Sequence, residues 1–356
     1  VVTSTNSLTI YAQSEDGGTL NATGMTDDSG NASAGIGGST SSVDSGSITI
    51  HGGIINATGG VANNNFGNPN YGGAGIGGST TSSGNGGNSG TIEIYGGTIT
   101  ANSGAGNVAG AGIGGGGGGN GKNGGDGSGI TIYGGSITAT FRGTGSGGAG
   151  IGGGAGNNGN GGAGNNIQIN GGMVHATGGY LGAGIGGGGG VGKKSGDGTV
   201  TISGGTVTAV GGSCAAGIGG GGGYQYSNQW ASDSTTGGTG SVTITGGIVD
   251  ASSPTDVLYK GYEGAPIGNG GNASGGSVEK TTGIVFENGV GTVCGTVTFN
   301  GSYNVPADYS LNIPAGASLS GSGTLSGGGA FTTENLTEDM ISVPTDFYYN
   351  GEDRTT

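Results

Sequence analysis

The five-residue pattern Ala-Gly-Ile-Gly-Gly returns at residues 34–38, 74–78, 111–115, 149–153, 183–187 and 216–220, and in degraded form at 265–268. Its isoleucines, Ile36, Ile76, Ile113, Ile151, Ile185, Ile218 and Ile267, are spaced by 40, 37, 38, 34, 33 and 49 residues. Between occurrences runs a second pattern, Ile-Thr-Ile-x-Gly-Gly-x-Ile-x-Ala-Thr. Self-similarity at such a period implies a solenoid, in which each unit buries its apolar face only against its neighbours. A chain of this kind grows by stacking, so its 356 residues need no second core.

Within one unit, Ile130-Thr131-Ile132 alternates with period two, Tyr133-Gly134-Gly135 turns, and residues 136–140 alternate again before a loop leads to Ala149-Gly150-Ile151. Three short strands joined by glycine turns make one rung. Stacked rungs put Ile48, Ile92, Ile130, Ile167, Val200 and Val242 in one inward ladder, and Ala57, Ala101, Ala139, Ala176, Ala209 and Ala251 in another. The expected fold is all-β, a parallel β-helix with three strands per rung, right-handed by the twist that sets parallel crossovers. About seven rungs are expected over 1–280, atypical closing rungs or a cap over 281–340, and a linker or the start of a following module over 341–356. The pattern is under way where the sequence begins, so a longer parent protein with further modules is expected.

Composition narrows the partners. Glycine supplies 102 residues but follows no triplet period, which sets collagen aside. Seven Lys and Arg against 21 Asp and Glu leave a formal charge of −14, the wrong sign for a phosphate backbone, so no nucleic-acid partner is expected. No run approaches the ~18 apolar residues of a span, so no direct membrane insertion is expected. The two cysteines, Cys214 and Cys294, lie about two repeats apart and are expected to be free, mostly buried thiols.

The Gly-Ala-Gly-Ile-Gly-Gly-Gly runs at 148–154 and 182–188, with Thr-Ile-x-Gly-Gly-x-Ile/Val-Thr-Ala at 131–139 and 201–209, resemble the glycine-rich β-helix repeats of adhesin-like surface proteins of Gram-positive, often gut-dwelling, bacteria. Some of these are grouped as carbohydrate-binding domains. The resemblance covers about residues 8–270. It implies an extracellular location, attachment to the cell wall through the parent protein, and a glycan partner such as host mucin or plant polysaccharide. It supplies no catalytic motif.

Chemistry is sparse elsewhere. Most loops after Ala-Gly-Ile-Gly-Gly are glycine and asparagine and read as connectors. The sixth, 219–240, departs from that composition with Tyr224, Tyr226, Asn228, Gln229, Trp230 and Asp233. Aromatic faces stack on sugar rings while amides and carboxylates bond hydroxyls, so this loop is the candidate glycan site, against the alternative that Trp230 folds back over its rung. Phe66, Tyr71, Phe141, Arg142, Tyr180, Tyr259 and Tyr262, in the loops after the second strand, could form an aromatic track. Asp126 and Asp197 are candidate calcium ligands. His51 and His175 have no second ligand nearby and read as surface residues. Paired carboxylates for glycoside cleavage are not evident, Glu93 and Asp250 lying several rungs apart, so a polysaccharide-degrading enzyme ranks behind a binding module and a plain structural stalk.

Overall fold

The computed structural model describes residues 1–333 except 13–16, 41–42, 63–69, 146, 224–235 and 255–260. The chain winds into a parallel β-helix of three sheets. The first stacks Ser7–Ile10, Ser47–Ile50, Ile92–Ile94, Ile130–Ile132, Gly164–Ile169, Gly198–Ile202, Gly240–Ile244 and Ser277–Lys280. The second stacks Thr19–Thr23, Ile54–Thr58, Thr98–Asn102, Ser136–Thr140, Met173–Thr177, Thr206–Val210, Ile248–Ser252 and Gly283–Glu287. The third is made of two-residue strands, from Ile36–Gly37 to Ile267–Gly268. Among the described residues seven rungs are complete in all three sheets, and an eighth contributes to the first two.

Register is kept from rung to rung, apart from a shift between Gly164 and Ile167 in the first sheet. Ile130 pairs with both Ile92 and Ile167, Ala139 with Ala101 and Ala176, and Ile151 with Ile113 and Ile185. The predicted ladders all point inward and form one continuous core, with every member named above at or below 6% exposure. Leu8 and Ile10 of the first rung, both half-buried, extend it at one end.

The third sheet explains the defining motif. In each two-residue strand the glycine has φ between +126° and +142°, a region in which a side chain is strained. A Cβ on Gly152 would also collide with the carbonyl oxygen of Gly186 on the next rung. Isoleucine fills the core at this corner and the glycine after it lets the rungs close up.

Beyond the last rung the direction changes. Asn288 and Gly289, with φ of 48° and 81°, turn the chain so that Val290–Cys294 runs antiparallel to Gly283–Glu287; two left-handed residues are what a tight hairpin with the sheet's twist requires. Ser310–Ile313 and Ala330–Thr333 continue the second sheet. This closing region has a core of its own, in which Phe286, Val293, Val305, Leu311 and Leu325 pack with Ile248 and Ile284. Cys214 is buried and Cys294 half-buried.

Candidate functional site

The loops that join the third sheet to the first lie over one face and follow a rule of their own. Asn85-Gly86-Gly87-Asn88, Asn123-Gly124-Gly125-Asp126, Asn160-Gly161-Gly162-Ala163 and Lys194-Ser195-Gly196-Asp197 occupy equivalent levels of successive rungs. Their central residues, half-buried Gly161 apart, are buried, and their outer ones, half-buried Ala163 and Asp197 apart, are exposed. The loops touch so closely that a Cβ on Gly125 would meet the carbonyl of Gly87, so the floor is glycine because little else fits. With Asp44 they line a groove of about 680 Å³ crossing five consecutive loops, within the usual size of a ligand cleft.

Two rows of side chains flank it, and each side chain is clamped by the next rung. Along one row, the Asn123 N–H donates to Asn85 Oδ1 (3.2 Å), Asn160 N–H to Asn123 Oδ1 (2.9 Å) and Lys194 N–H to Asn160 Oδ1 (3.3 Å). Along the other, Asn88 N–H donates to Asp44 Oδ1 (2.7 Å), Asp126 N–H to Asn88 Oδ1 (2.9 Å), Ala163 N–H to Asp126 Oδ1 (2.8 Å) and Thr239 N–H to Asp197 Oδ1 (2.7 Å). Because the donor is a backbone N–H in every case, the accepting atom of each amide must be its oxygen, and the NH2 group is thereby oriented.

This arrangement uses half of each group's capacity. Among the described residues nothing accepts from the Nδ2 of Asn85, Asn88, Asn123 or Asn160, and nothing donates to the second oxygen of Asp126. The groove therefore presents unspent N–H donors and a carboxylate acceptor at the rung repeat of about 4.8 Å. Asp197 differs: Lys194 Nζ holds its second oxygen at 2.7 Å. Burial pushes the Asp197 carboxyl up, but the Lys194 ammonium and the Thr239 N–H and hydroxyl outweigh it and bring it below the ordinary carboxylate value. A carboxylate held ionised in this way is unsuited to act as a general acid.

Asp126 and Asp197, the expected calcium ligands, both line this groove, at equivalent positions two rungs apart. That is about 10 Å, too far for both to reach one ion at Ca–O distances of about 2.3–2.6 Å. Among the described residues no three His, Cys, Asp or Glu come together as a metal cage. Tyr224, Tyr226, Asn228, Gln229, Trp230 and Asp233 lie outside the described residues. The residues on either side of them are built into the array: Ser195 N–H donates to Thr236 O and Gly223 N–H to Gly271 O. Thr236 thus stands beside the Lys194 and Asp197 end of the groove.

The aromatic track after the second strand does not form as expected. Tyr71 is 2% exposed among Val108, Ala32, Ala62 and Ala155, and Phe141 is 8% exposed. Both rings fill space between the rungs and the glycine-rich loops beside them, because small residues there leave room that only a large side chain takes up. Phe66 and Tyr259 lie outside the described residues. An exposed aromatic row exists instead at the turn between the first and second sheets. Tyr11, His51, Tyr95 and Tyr133 stack face to face with centroids 4.5, 4.8 and 4.5 Å apart, within 13° of parallel. The ring faces cover one another, leaving mainly their edges to solvent. Asn170 and Ser203, joined by a 2.9 Å hydrogen bond, continue the row. His51 is thus a surface residue inside an aromatic stack, and His175 is exposed on the second sheet.

Comparison with known protein families agrees with the architecture. A family model described as a beta helix repeat matches residues 16–40, 92–117, 130–155, 167–189 and 200–222. The last four matches each begin at or beside a strand of the first sheet and end past the third. Neither curated proteins nor solved structures gave a match.

Proposed function

The chain carries β-helix repeats, and from that frame we propose that it is a non-enzymatic, adhesin-like surface module that binds glycan, of host mucin or plant polysaccharide, through the loops of one face. The observation that carries this reading is the groove: a shallow, elongated surface of oriented amide donors and carboxylate acceptors, with a glycine floor that admits a ligand close to the backbone. Sugars offer hydroxyls that both donate and accept, and such paired sets satisfy them. The rows are clamped before a ligand arrives, so little ordering cost remains for binding. Extracellular display on a cell wall, through further modules of a parent chain, belongs to the same proposal.

In this reading Trp230, Tyr224 and Tyr226 supply stacking, with Asn228, Gln229 and Asp233 as hydrogen-bonding partners. A glycan array with the intact chain, followed by titration of its best ligand, tests this. Trp230→Ala is expected to weaken that ligand about ten-fold or more, as loss of a stacking aromatic costs about 1–3 kcal/mol. Its melting temperature should stay nearly unchanged. An array with no retained glycan would leave a structural stalk as the function, and loss of folding in the variant would make Trp230 a plug over the sixth rung.

A further inference from the structure

The groove repeats along the helix axis, and its repeat constrains what can lie in it. Its lining comes from five consecutive loops, which at about 4.8 Å per rung extends about 20 Å. Both rows run parallel to the axis, with asparagine at three successive levels of one and Asp44, Asn88 and Asp126 at three successive levels of the other. A pyranose ring in an extended linear glycan advances by nearly the same distance as one rung. Resting on the glycan-binding reading above, we infer that the ligand is an unbranched, non-acidic polysaccharide lying along the axis, one sugar ring per rung.

Three features support the class. First, three successive levels offer the same donor, the Nδ2 of Asn85, Asn123 and Asn160, facing Asn88 or Asp126 across the floor at the first two of these levels. A ligand of identical units in register meets that donor at each of the three levels, whereas a branched or compact sugar could use only one. Second, the floor is the buried glycine run, so a flat chain can approach the backbone between the rows while a side branch would meet the flanking amides. Third, the lining is net negative, with exposed Lys122 and Lys193 beside it in sequence but outside the lining. Asp44, Asp126 and Asp197 line the groove against Lys194, which is already paired with Asp197, in a chain of formal charge −14. A uronate or sulfated chain would set its own anions beside these carboxylates, and like charges across an interface are what excludes a wrong partner.

Two isosteric exchanges change the groove without disturbing the clamp. Asp126→Asn keeps the Oδ1 that receives the Ala163 N–H and removes one negative charge. Asn123→Asp keeps the Oδ1 that receives the Asn160 N–H and adds one. The experiment is calorimetric titration of the full chain with neutral linear oligomers of glucose, mannose, xylose and galactose, from disaccharide to heptasaccharide, beside oligogalacturonate of matched length. For at least one neutral series, affinity should climb with each added sugar to about the pentasaccharide and then level off. The matched uronate should bind at least ten-fold more weakly, by a gap that narrows as salt is added. Asp126→Asn should shrink the neutral-to-uronate ratio several-fold and Asn123→Asp should widen it, both with unchanged melting.

Affinity already at its limit with the disaccharide, uronate binding as tightly as the neutral chain, or a ratio unmoved by both exchanges would overturn the inference. So would retention of only branched glycans, which would leave the broader glycan reading in place. Absence of any glycan ligand would instead remove the reading on which this inference rests.

Discussion

Two aspartates show how one residue type takes opposite roles on this scaffold. Asp197 is pulled below its ordinary value of 3.8 because Lys194 and Thr239 outweigh its partial burial. Asp250 is pushed above the same value because burial under the closing region outweighs the O–H that Tyr309 donates at 3.0 Å. Burial first, and then the Asp250 charge, raise the phenols of Tyr303 and Tyr309 to about 12, so Tyr309 stays a donor near neutrality. The signs follow from proton linkage. The stability contributed by Asp197 is present above the unfolded value and lost as pH falls through the lower folded one. That associated with Asp250 is full below the unfolded value and lost as pH rises through the higher folded one. Asp197→Asn should therefore lower the melting temperature at neutral pH, a difference that fades in acid. Asp250→Asn, which leaves Tyr309 an oxygen to donate to, should raise it at neutral pH and lose its advantage below about pH 3.8. Melting curves across the acid range decide it, and shifts of the same sign in both variants would contradict the assignment.

At the level of the element, the two-residue strands of the third sheet are the most demanding part of the design. Gly152, at φ +135°, has no room for a Cβ beneath Gly186, and both atoms are backbone-bound. Gly152→Ala should cost more than about 2 kcal/mol in a denaturant titration, while Thr138→Ala on the outward face of the second sheet should stay within about 0.5 kcal/mol. These strands were legible in the sequence because their motif recurs almost unchanged, and the ladders of Ile130 and Ala139 followed from a period of two inside a period near 37. The groove was legible too, but only as a pattern within the loops: Asn-Gly-Gly-Asn at 85–88 and Asn-Gly-Gly-Asp at 123–126 look like connector composition until their equivalence is noticed. The ring stack was half visible, since His51, Tyr95 and Tyr133 share a turn position, whereas Tyr11 precedes the first full repeat. Tyr71 and Phe141 misled because aromatic composition does not tell whether a loop ring faces solvent or its own rung. The reversal at Asn288-Gly289 had no repeat to announce it; the local signal was the Asn-Gly pair between two apolar runs.

Taken as a whole, the molecule is bonded almost entirely in one direction. The inter-rung hydrogen bonds that join Ile130 to Ile167 and Ile151 to Ile185 point along the axis, and each rung touches only the ones next to it. Tension applied between the two ends of such a rod loads these bonds one layer at a time, in the manner of a zipper and not of a shear joint. Pulled in a single-molecule force experiment, the array should lengthen in successive steps of one rung, each releasing its 33–49 residues, roughly 110–180 Å of contour at about 3.3–3.6 Å per residue. Rupture of the whole array in one event would show the rungs to be mechanically fused. Stepwise yielding would make the protein a shock absorber: a tether that gives up length layer by layer under flow, and rewinds from whichever rungs remain once the pull relaxes.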